Sequence, residues 1–136
     1  MELKLENAES KKTQELANLI RAYNRSKREP SESVPLNIYL EDEQGNLKAG
    51  MVAETFGNWL EIEYLYVSDD LRGQGIGSKI LKMAERESKG RGCKYSFVDT
   101  FNFQAPKFYE KHGYKEVFAL EKYPYTGERY YYTKEL

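Results

Sequence analysis

The sequence predicts one mixed α/β domain, an α+β fold in which helices flank a mostly antiparallel sheet. At 136 residues the chain has the length of a single domain. Several short segments with strand-like patterns are separated by turn residues, which is typical of a meander of antiparallel strands. Other segments repeat apolar residues every three to four positions, as amphipathic helices do. One of these follows a strand pattern directly through a glycine-rich turn, which indicates that a parallel strand pair is also present.

In the first half of the chain, three strands follow one long helix. Met1–Glu6 is predicted to form a short strand, and a helix is predicted from about Ser10 to Lys27, where apolar residues follow helical spacing. Residues 27–33 are polar and contain a proline, so they form a loop. The next strands are predicted at Val34–Leu40, Leu47–Thr55 and Trp59–Val67, with turns at residues 42–46 and 57–58.

In the second half, helices and strands alternate before a final hairpin. A helix begins near Ile76, with an apolar face formed by Ile76, Ile80, Met83 and Ala84, and it ends at Gly90 and Gly92. A strand at Lys94–Thr100 should pair in parallel with the Trp59–Val67 strand through a right-handed crossover. A short helix carries Ala105, Phe108, Tyr109 and His112 on one face and ends at Gly113. The final hairpin consists of Val117–Tyr123 and Arg129–Thr133.

Composition narrows the possible partners and compartment. The net charge is −1 with both signs mixed, which gives no general attraction to nucleic acid or to an anionic membrane. Cys93 is the only cysteine, so an internal disulfide is excluded, and we expect it to be structural in a reducing compartment. No signal-peptide pattern and no run of 18 apolar residues is present. We therefore expect a cytoplasmic protein without nucleic-acid or membrane partners and without a metal site.

The stretch from Tyr64 to Ser78 predicts an anion site. An apolar strand pattern leads through an acidic turn to three glycines within five residues, Gly73, Gly75 and Gly77, and then to a helix. Glycine allows positive φ and a close approach of the backbone to a ligand. The first amides of the helix have no partners within it, and the helix dipole favours negative charge there. A phosphate or pyrophosphate is the natural ligand.

Two common phosphate motifs do not fit this loop. In a P-loop the lysine follows a glycine directly, whereas Lys79 here comes after Gly77-Ser78. The dinucleotide fingerprint needs a third glycine where this chain has Ser78. The spacing that does fit is Arg72-x-x-Gly75-x-Gly77. It resembles the pyrophosphate motif of the GNAT N-acetyltransferase superfamily, Gln/Arg-x-x-Gly-x-Gly/Ala.

A second segment strengthens the resemblance. The chain reads Asn102-x-x-Ala105-x-x-x-Tyr109-x-x-x-Gly113-Tyr114, and every fixed position matches the other diagnostic segment of that superfamily. It lies one strand after the glycine loop, as the family pattern requires. The resemblance extends over about residues 47–114, and only the order of elements supports it elsewhere. It implies a GNAT-like fold in which the two central parallel strands splay apart and hold the cofactor between them.

The resemblance implies an acetyl-CoA site along this loop and the strand before it. The pyrophosphate would bind the amides of Arg72, Gly73, Gln74, Gly75, Ile76, Gly77 and Ser78. Leu65 and Val67 would pair with the amides of the pantetheine arm, as in strand addition. Asn102 would contact the same arm, directly or through water.

The resemblance also implies transfer of an acetyl group to a primary amine by direct attack on the thioester. The tyrosine that matches Tyr109 is the general acid for the leaving thiolate. Glu61 or Glu63, both on the Trp59–Val67 strand, would serve as general base, and Glu61 aligns with the base of histone-acetylating relatives. The acceptor is the amine of a small molecule or a peptide. The sequence leaves the acceptor's identity and homodimer formation open.

Structural interpretations stand beside these functional ones. Tyr109 could be a core aromatic, Asn102 a helix N-cap, and Glu61 and Glu63 residues of a solvated strand face. His112, in the last turn of its helix, is expected to be a surface residue favoured by the helix dipole. Two alternative functions also remain at this point. One is a GNAT domain that binds acyl-CoA without catalysis, and the other is a different nucleotide-binding α/β protein.

Overall fold

The computed structural model describes all 136 residues, which divide into two compact units, residues Met1–Ser31 and Glu32–Leu136. In the first unit, helix α1 spans Lys11–Lys27, as predicted. Ser10 caps it: its hydroxyl accepts a hydrogen bond from the Lys12 amide, and the Thr13 hydroxyl accepts one from the Ser10 amide. The predicted strand at Met1–Glu6 is wrong, because these residues have no strand to pair with. The prediction of a single domain stays a prediction.

The second unit is a mixed sheet of six strands in the order β1-β2-β3-β4-β6-β5. Only β3 and β4 are parallel, so the predicted mostly antiparallel sheet with one parallel pair is confirmed. The final hairpin joins the sheet through its second strand, β6, which pairs with β4. The strands are β1 Ser33–Glu41, β2 Leu47–Phe56, β3 Trp59–Val67, β4 Tyr95–Phe101, β5 Lys115–Glu121 and β6 Glu128–Glu135.

Two helices and a short 3-10 turn complete this unit. The turn spans Asp69–Leu71, helix α2 spans Ile76–Gly90, and helix α3 spans Pro106–Lys111. Pro106 occupies the first turn of α3, where its missing amide hydrogen costs nothing. In neither unit does a helix combine the length and the apolar character needed to cross a bilayer.

Helix α2 buries a different face from the one predicted. Its buried residues are Ile80, Leu81, Ala84 and Ser88, which pack into a core shared with the sheet. Met83 was predicted to lie on this face, but its side chain is 55% exposed, whereas Leu81 is fully buried. The prediction for Met83 is therefore wrong. The buried stripe is centred between Ile80 and Leu81 around the helix, so Met83 falls on its flank.

The parallel pair splays apart after four residue pairs. β3 and β4 are in register from Trp59–Tyr95 to Ile62–Val98, and their pairing ends there. Beyond that point β3 stays paired with β2, and β4 stays paired with β6. Glu63 is an extra residue in β3, a β-bulge between the neighbours that pair with β2. The splayed strands implied by the resemblance are confirmed.

Substitutions on α2 test the assignment of its buried face. Leu81→Ala should lower the free energy of unfolding by about 2–5 kcal/mol, because it leaves a cavity in the core. Met83→Ala is the matched control and should change the same free energy by less than about 1 kcal/mol, since that position is exposed. Urea unfolding of the two variants measures both values. Equal losses would contradict the burial pattern.

Candidate active site

A groove of about 830 Å³ opens where β3 and β4 separate. One wall is β3 beyond Ile62, the other is β4 from Val98, and helix α3 closes the side between them. Among the predicted site residues, Glu63, Leu65, Val67, Arg72 and Tyr109 line this groove. Its other lining residues are Ile62, Tyr64, Tyr66, Val98, Asp99, Thr100, Phe103, Gln104, Ala105 and Phe108.

The β3 wall offers backbone groups to a ligand. From Tyr64 to Val67 this strand pairs with β2 on one side only. In an antiparallel pair every second residue directs its amide and carbonyl away from the partner strand. In β3 those groups point towards the groove, where β4 no longer meets them. An extended, amide-bearing molecule could therefore add to this edge as a strand.

The glycine loop lies at the end of β3 and begins helix α2. Gly73 and Gly75 have φ of +79° and +78°, and Gly75 is the N-cap of α2. The first hydrogen bond of the helix runs from the Lys79 amide to the Gly75 carbonyl, at 3.1 Å. The amides of Ile76 and Gly77 therefore have no acceptor within the helix, and neither does that of Ser78. With the helix dipole added, this end of α2 can bind an anion.

Side chains hold the loop in place against the strand end. The Arg72 guanidinium donates from Nε to the Val67 carbonyl at 3.3 Å and pairs with Asp69 at 3.1 Å. Gln74 donates from its side-chain amide to the Asp70 carbonyl at 3.2 Å. In the ligand-free chain, Arg72 thus fixes the conformation of the loop. Its side chain is two-thirds exposed, so solvent screens its charge.

Gly77 lies against helix α3. A Cβ atom at this position would lie 3.4 Å from the Phe108 ring and 3.7 Å from Val67, both ordinary van der Waals distances. The first turn of α2 and α3 are therefore in close contact here. Phe108 therefore packs across the loop and joins the anion site to the wall that carries Tyr109.

Tyr109 presents a phenol at the groove. Its side chain is 4% exposed, and its ring packs edge-on against Phe108 and Tyr114. Burial, and secondarily the negative charge of Asp99, raise the pKa of Tyr109 to about 12. The hydroxyl is therefore neutral at pH 7 and keeps a proton to donate. The Tyr114 hydroxyl donates to Ser96 of β4 at 2.8 Å, which ties the segment after α3 to the sheet.

The structure separates the two predicted bases. Glu63 is exposed at the bulge and lines the groove. Glu61 lies outside the groove and faces Glu54 of β2 across the strand pair. Burial raises the pKa of Glu61, and so does the hydrogen bond that the protonated Glu61 carboxyl can donate to Glu54. At low pH these two carboxyl groups can thus share a proton on the sheet face away from α2.

Asn102 has a structural role at the final hairpin. The N-cap of α3 is Ala105, so the interpretation of Asn102 as an N-cap is wrong. Its side-chain oxygen accepts a hydrogen bond from the Glu128 amide, and its own amide donates to the Glu128 carbonyl, both at 3.1 Å. The Thr100 hydroxyl accepts from the Ala105 amide instead, at 3.3 Å. The proposed contact of Asn102 with a cofactor stays a prediction.

Comparison with known proteins identifies the family. The model of the acetyltransferase (GNAT) domain matches residues 36–116, more than half of the chain. The chain belongs to the GNAT acetyltransferase family. The matched range contains every residue that lines the groove, together with the glycine loop. Members of this family use acetyl-CoA.

Individual relatives agree with this assignment. The chain is 36% identical over 99 residues to "Acetyltransferase Atu2258" of Agrobacterium fabrum, covering 73% of this chain and 72% of that protein. It is 35% identical over 109 residues to "Blasticidin-S acetyltransferase" of Streptomyces morookaense, covering 77% and 80%. The crystal structure of an inferred acetyltransferase from Agrobacterium tumefaciens superposes with a TM-score of 0.94 at 29% identity, over the full length of both chains.

In this GNAT domain, one residue differs from its sequence prediction, and one residue at the groove was not predicted. His112 was predicted to be a surface residue, but it is half-buried, and its Nε2 is hydrogen-bonded to the Ser78 hydroxyl at 2.9 Å. Asp99 at the groove was not predicted at all. A polar residue near the carboxyl end of a parallel strand is the pattern that could have indicated it. Cys93 is buried, which supports its structural interpretation, and burial raises the pKa of its thiol.

The raised pKa of Tyr109 has a measurable effect on the stability of the GNAT domain. In the unfolded chain the phenol ionises near pH 10, whereas in the folded protein it ionises near pH 12. The free energy of unfolding that depends on the neutral, buried phenol is therefore fully present below pH 10. As the pH rises towards 12, up to about 2–3 kcal/mol of it is lost. Relative to wild type, Tyr109→Phe should become steadily more stable above pH 10 in urea unfolding.

The matched control for this titration is Tyr125→Phe, at a residue whose side chain is 86% exposed. Urea unfolding of Tyr125→Phe over the same pH range measures the effect of removing a hydroxyl that is not buried. A constant difference between Tyr109→Phe and wild type from about pH 8 to about pH 11 would contradict the burial of the phenol.

Proposed function

We propose that the chain is an acetyl-CoA-dependent N-acetyltransferase that transfers the acetyl group to a primary amine by direct attack on the thioester. One observation carries this proposal: a single groove runs from Arg72, at the start of the glycine loop that leads into α2, to a buried, neutral phenol. A ligand that spans them must have a phosphate group at one end and a reacting group that needs a proton at the other. Acetyl-CoA has both.

The residues present fit this cofactor. The amides from Arg72 to Ser78 would hold the pyrophosphate at the start of α2. The backbone of β3 at Leu65 and Val67 would pair with the pantetheine amides along the open edge. When bound, acetyl-CoA supplies an activated acetyl thioester. Phe108, packed over Gly77, would fix the distance between the phosphate end and the phenol.

Tyr109 would donate its proton to the sulfur as the carbon–sulfur bond breaks. Because its pKa is about 12, it holds this proton firmly until the thiolate develops. A thiol has a pKa near 8.5, below that of the phenol, so transfer to the sulfur is completed only as a proton returns to the Tyr109 oxygen. The proton that ends on the sulfur is replaced by the one that the attacking nitrogen loses. Burial, with a smaller contribution from the charge of Asp99, keeps the phenol protonated between turnovers.

Deprotonation of the amine requires an acceptor near the groove. A lysine-like amine has a pKa near ~10, so only about one molecule in a thousand is neutral at pH 7. Glu63 is the predicted base that lines the groove, and we assign it this role ahead of Glu61. Glu61, outside the groove, would act only through intervening groups. The blasticidin-S acetyltransferase among the relatives supports a small-molecule acceptor over a peptide.

Paired glycine substitutions test the cofactor site. Gly75 and Gly45 both have φ near +80°, and a Cβ atom at either would contact nothing within 4 Å. Gly75→Val and Gly45→Val should therefore strain the backbone similarly. Only Gly75→Val places a branched side chain at the anion site, so it should weaken CoA binding at least about tenfold. Isothermal titration calorimetry measures this difference. Equal CoA affinity in the two folded variants would show that the cofactor does not bind at this loop.

The role of Tyr109 is tested by turnover. Tyr109→Phe keeps the ring and its packing but removes the donor, so kcat should fall by about 10²–10⁴-fold with CoA affinity intact. The loss should shrink with acyl donors whose thiols have a lower pKa, because these leave without a proton. Tyr125→Phe is the control and should turn over at the wild-type rate. A wild-type kcat in Tyr109→Phe would show that this tyrosine only packs in the core.

A further inference from the structure

One side-chain contact joins the anion-binding end of α2 to the end of α3. The Ser78 hydroxyl and His112 Nε2 lie 2.9 Å apart. Ser78 is the third residue of α2, and its amide is one of those without a helical acceptor. His112 is the C-cap of α3 and the only histidine in the chain. Neither the proposed chemistry at Tyr109 nor the packing of Gly77 uses this contact.

A second contact places the imidazole beside the groove. Its ring packs on Phe108, with the ring centres 4.8 Å apart, and Phe108 itself lies across Gly77. Gly113, with φ of +88°, ends the helix directly after the histidine. The imidazole therefore contacts both Ser78 of the anion site and the aromatic side chain that lines the groove.

The direction of this hydrogen bond decides what Ser78 can offer to an anion. A serine hydroxyl has one proton to donate and two lone pairs to accept with. If His112 Nε2 lacks a proton, it accepts the serine proton, and Ser78 turns lone pairs towards any anion at the helix end. If Nε2 carries a proton, it donates to the serine oxygen, and the serine proton becomes free for the anion. A bound phosphate therefore favours the second arrangement.

We propose that His112 is a positioning residue that, by donating from Nε2 to Ser78, turns the serine hydroxyl towards the pyrophosphate of bound acetyl-CoA. This inference rests on the proposed function. Any imidazole with a proton on Nε2 can donate this bond, but only the doubly protonated form also places a positive charge near the phosphates. Because bound phosphates favour that charged form, binding of CoA should be coupled to uptake of a proton by His112.

Burial and the charges around the imidazole determine the pH range in which CoA binding is coupled to protonation of His112. Burial is the main cause that lowers the pKa of His112 in the free protein. One carboxylate, Glu85 of α2, raises that pKa and is itself paired with a lysine of β6 at 3.0 Å. Three ammonium groups lower it: Lys82 of α2, Lys111 of α3 and Lys134 of β6. An incoming phosphate would raise the pKa again, so the affinity for CoA should increase as the pH falls through the interval between the free and the bound pKa.

Calorimetric titration of the full chain with CoA, from about pH 8.5 to about pH 5.5, tests the coupling. Near pH 5.5, wild type should bind CoA about fivefold more tightly than His112→Gln does. Near pH 8.5, the affinities of the two proteins for CoA should agree within about twofold. The phosphates of CoA also titrate in this range, but they do so equally in both proteins. Their contribution cancels in the ratio of the affinities.

Ser78→Ala distinguishes positioning from a simple charge effect. If His112 acts through the serine, His112→Gln should weaken CoA binding much less in the Ser78→Ala background than alone, because only the direct effect of the imidazole charge is left there. If His112→Gln weakens binding as much in the Ser78→Ala background as alone, the histidine acts independently of Ser78 and the inference is overturned. Parallel pH profiles for wild type and His112→Gln would also overturn it, while leaving the proposed function intact. Failure of wild type to bind CoA would instead overturn the proposed function itself.

Discussion

The early end of the β3–β4 pairing is the constraint on which the site depends. Two parallel strands that stayed paired would form a continuous sheet with no space between them. Here each strand keeps its outer neighbour, β2 or β6, so the sheet survives although its centre opens after Ile62 and Val98. The bulge at Glu63 bends β3 at this point. An open strand edge, normally a liability, becomes a surface that can pair with a ligand.

A second contact sets the distance between the two ends of the site, the amides at the start of α2 and the phenol of Tyr109. Val67 at the end of β3, Gly77 in α2 and Phe108 in α3 meet at one point, although they are distant in the sequence. A Cβ atom at Gly77 would just touch Phe108 and Val67, so a side chain larger than that of alanine would meet α3. Since α3 carries Tyr109, the same contact determines how far the phenol lies from the anion-binding amides. The two sequence motifs are thus coupled physically through Phe108.

Local sequence patterns predicted most of the fold, but they did not predict side-chain positions that depend on tertiary contacts. The bounds of β3 and the approximate extent of α1 followed from the spacing of apolar residues. Strict alternation would place Glu61 and Glu63 on the same face, and only the bulge sends Glu63 alone to the groove. The contact of His112 with Ser78 depends on how α2 and α3 pack, which no local pattern encodes.

The central claim is that one acetyl-CoA molecule spans the groove from the start of α2 to Tyr109. A crystal structure of the chain with a non-hydrolysable acetyl-CoA analogue tests this most directly. We expect the pyrophosphate on the amides that follow Gly75, and the Tyr109 hydroxyl within about 3.5 Å of the sulfur or of the atom that replaces it. A bound analogue whose sulfur position lies more than about 5 Å from that hydroxyl, or whose pyrophosphate lies away from α2, would contradict the account.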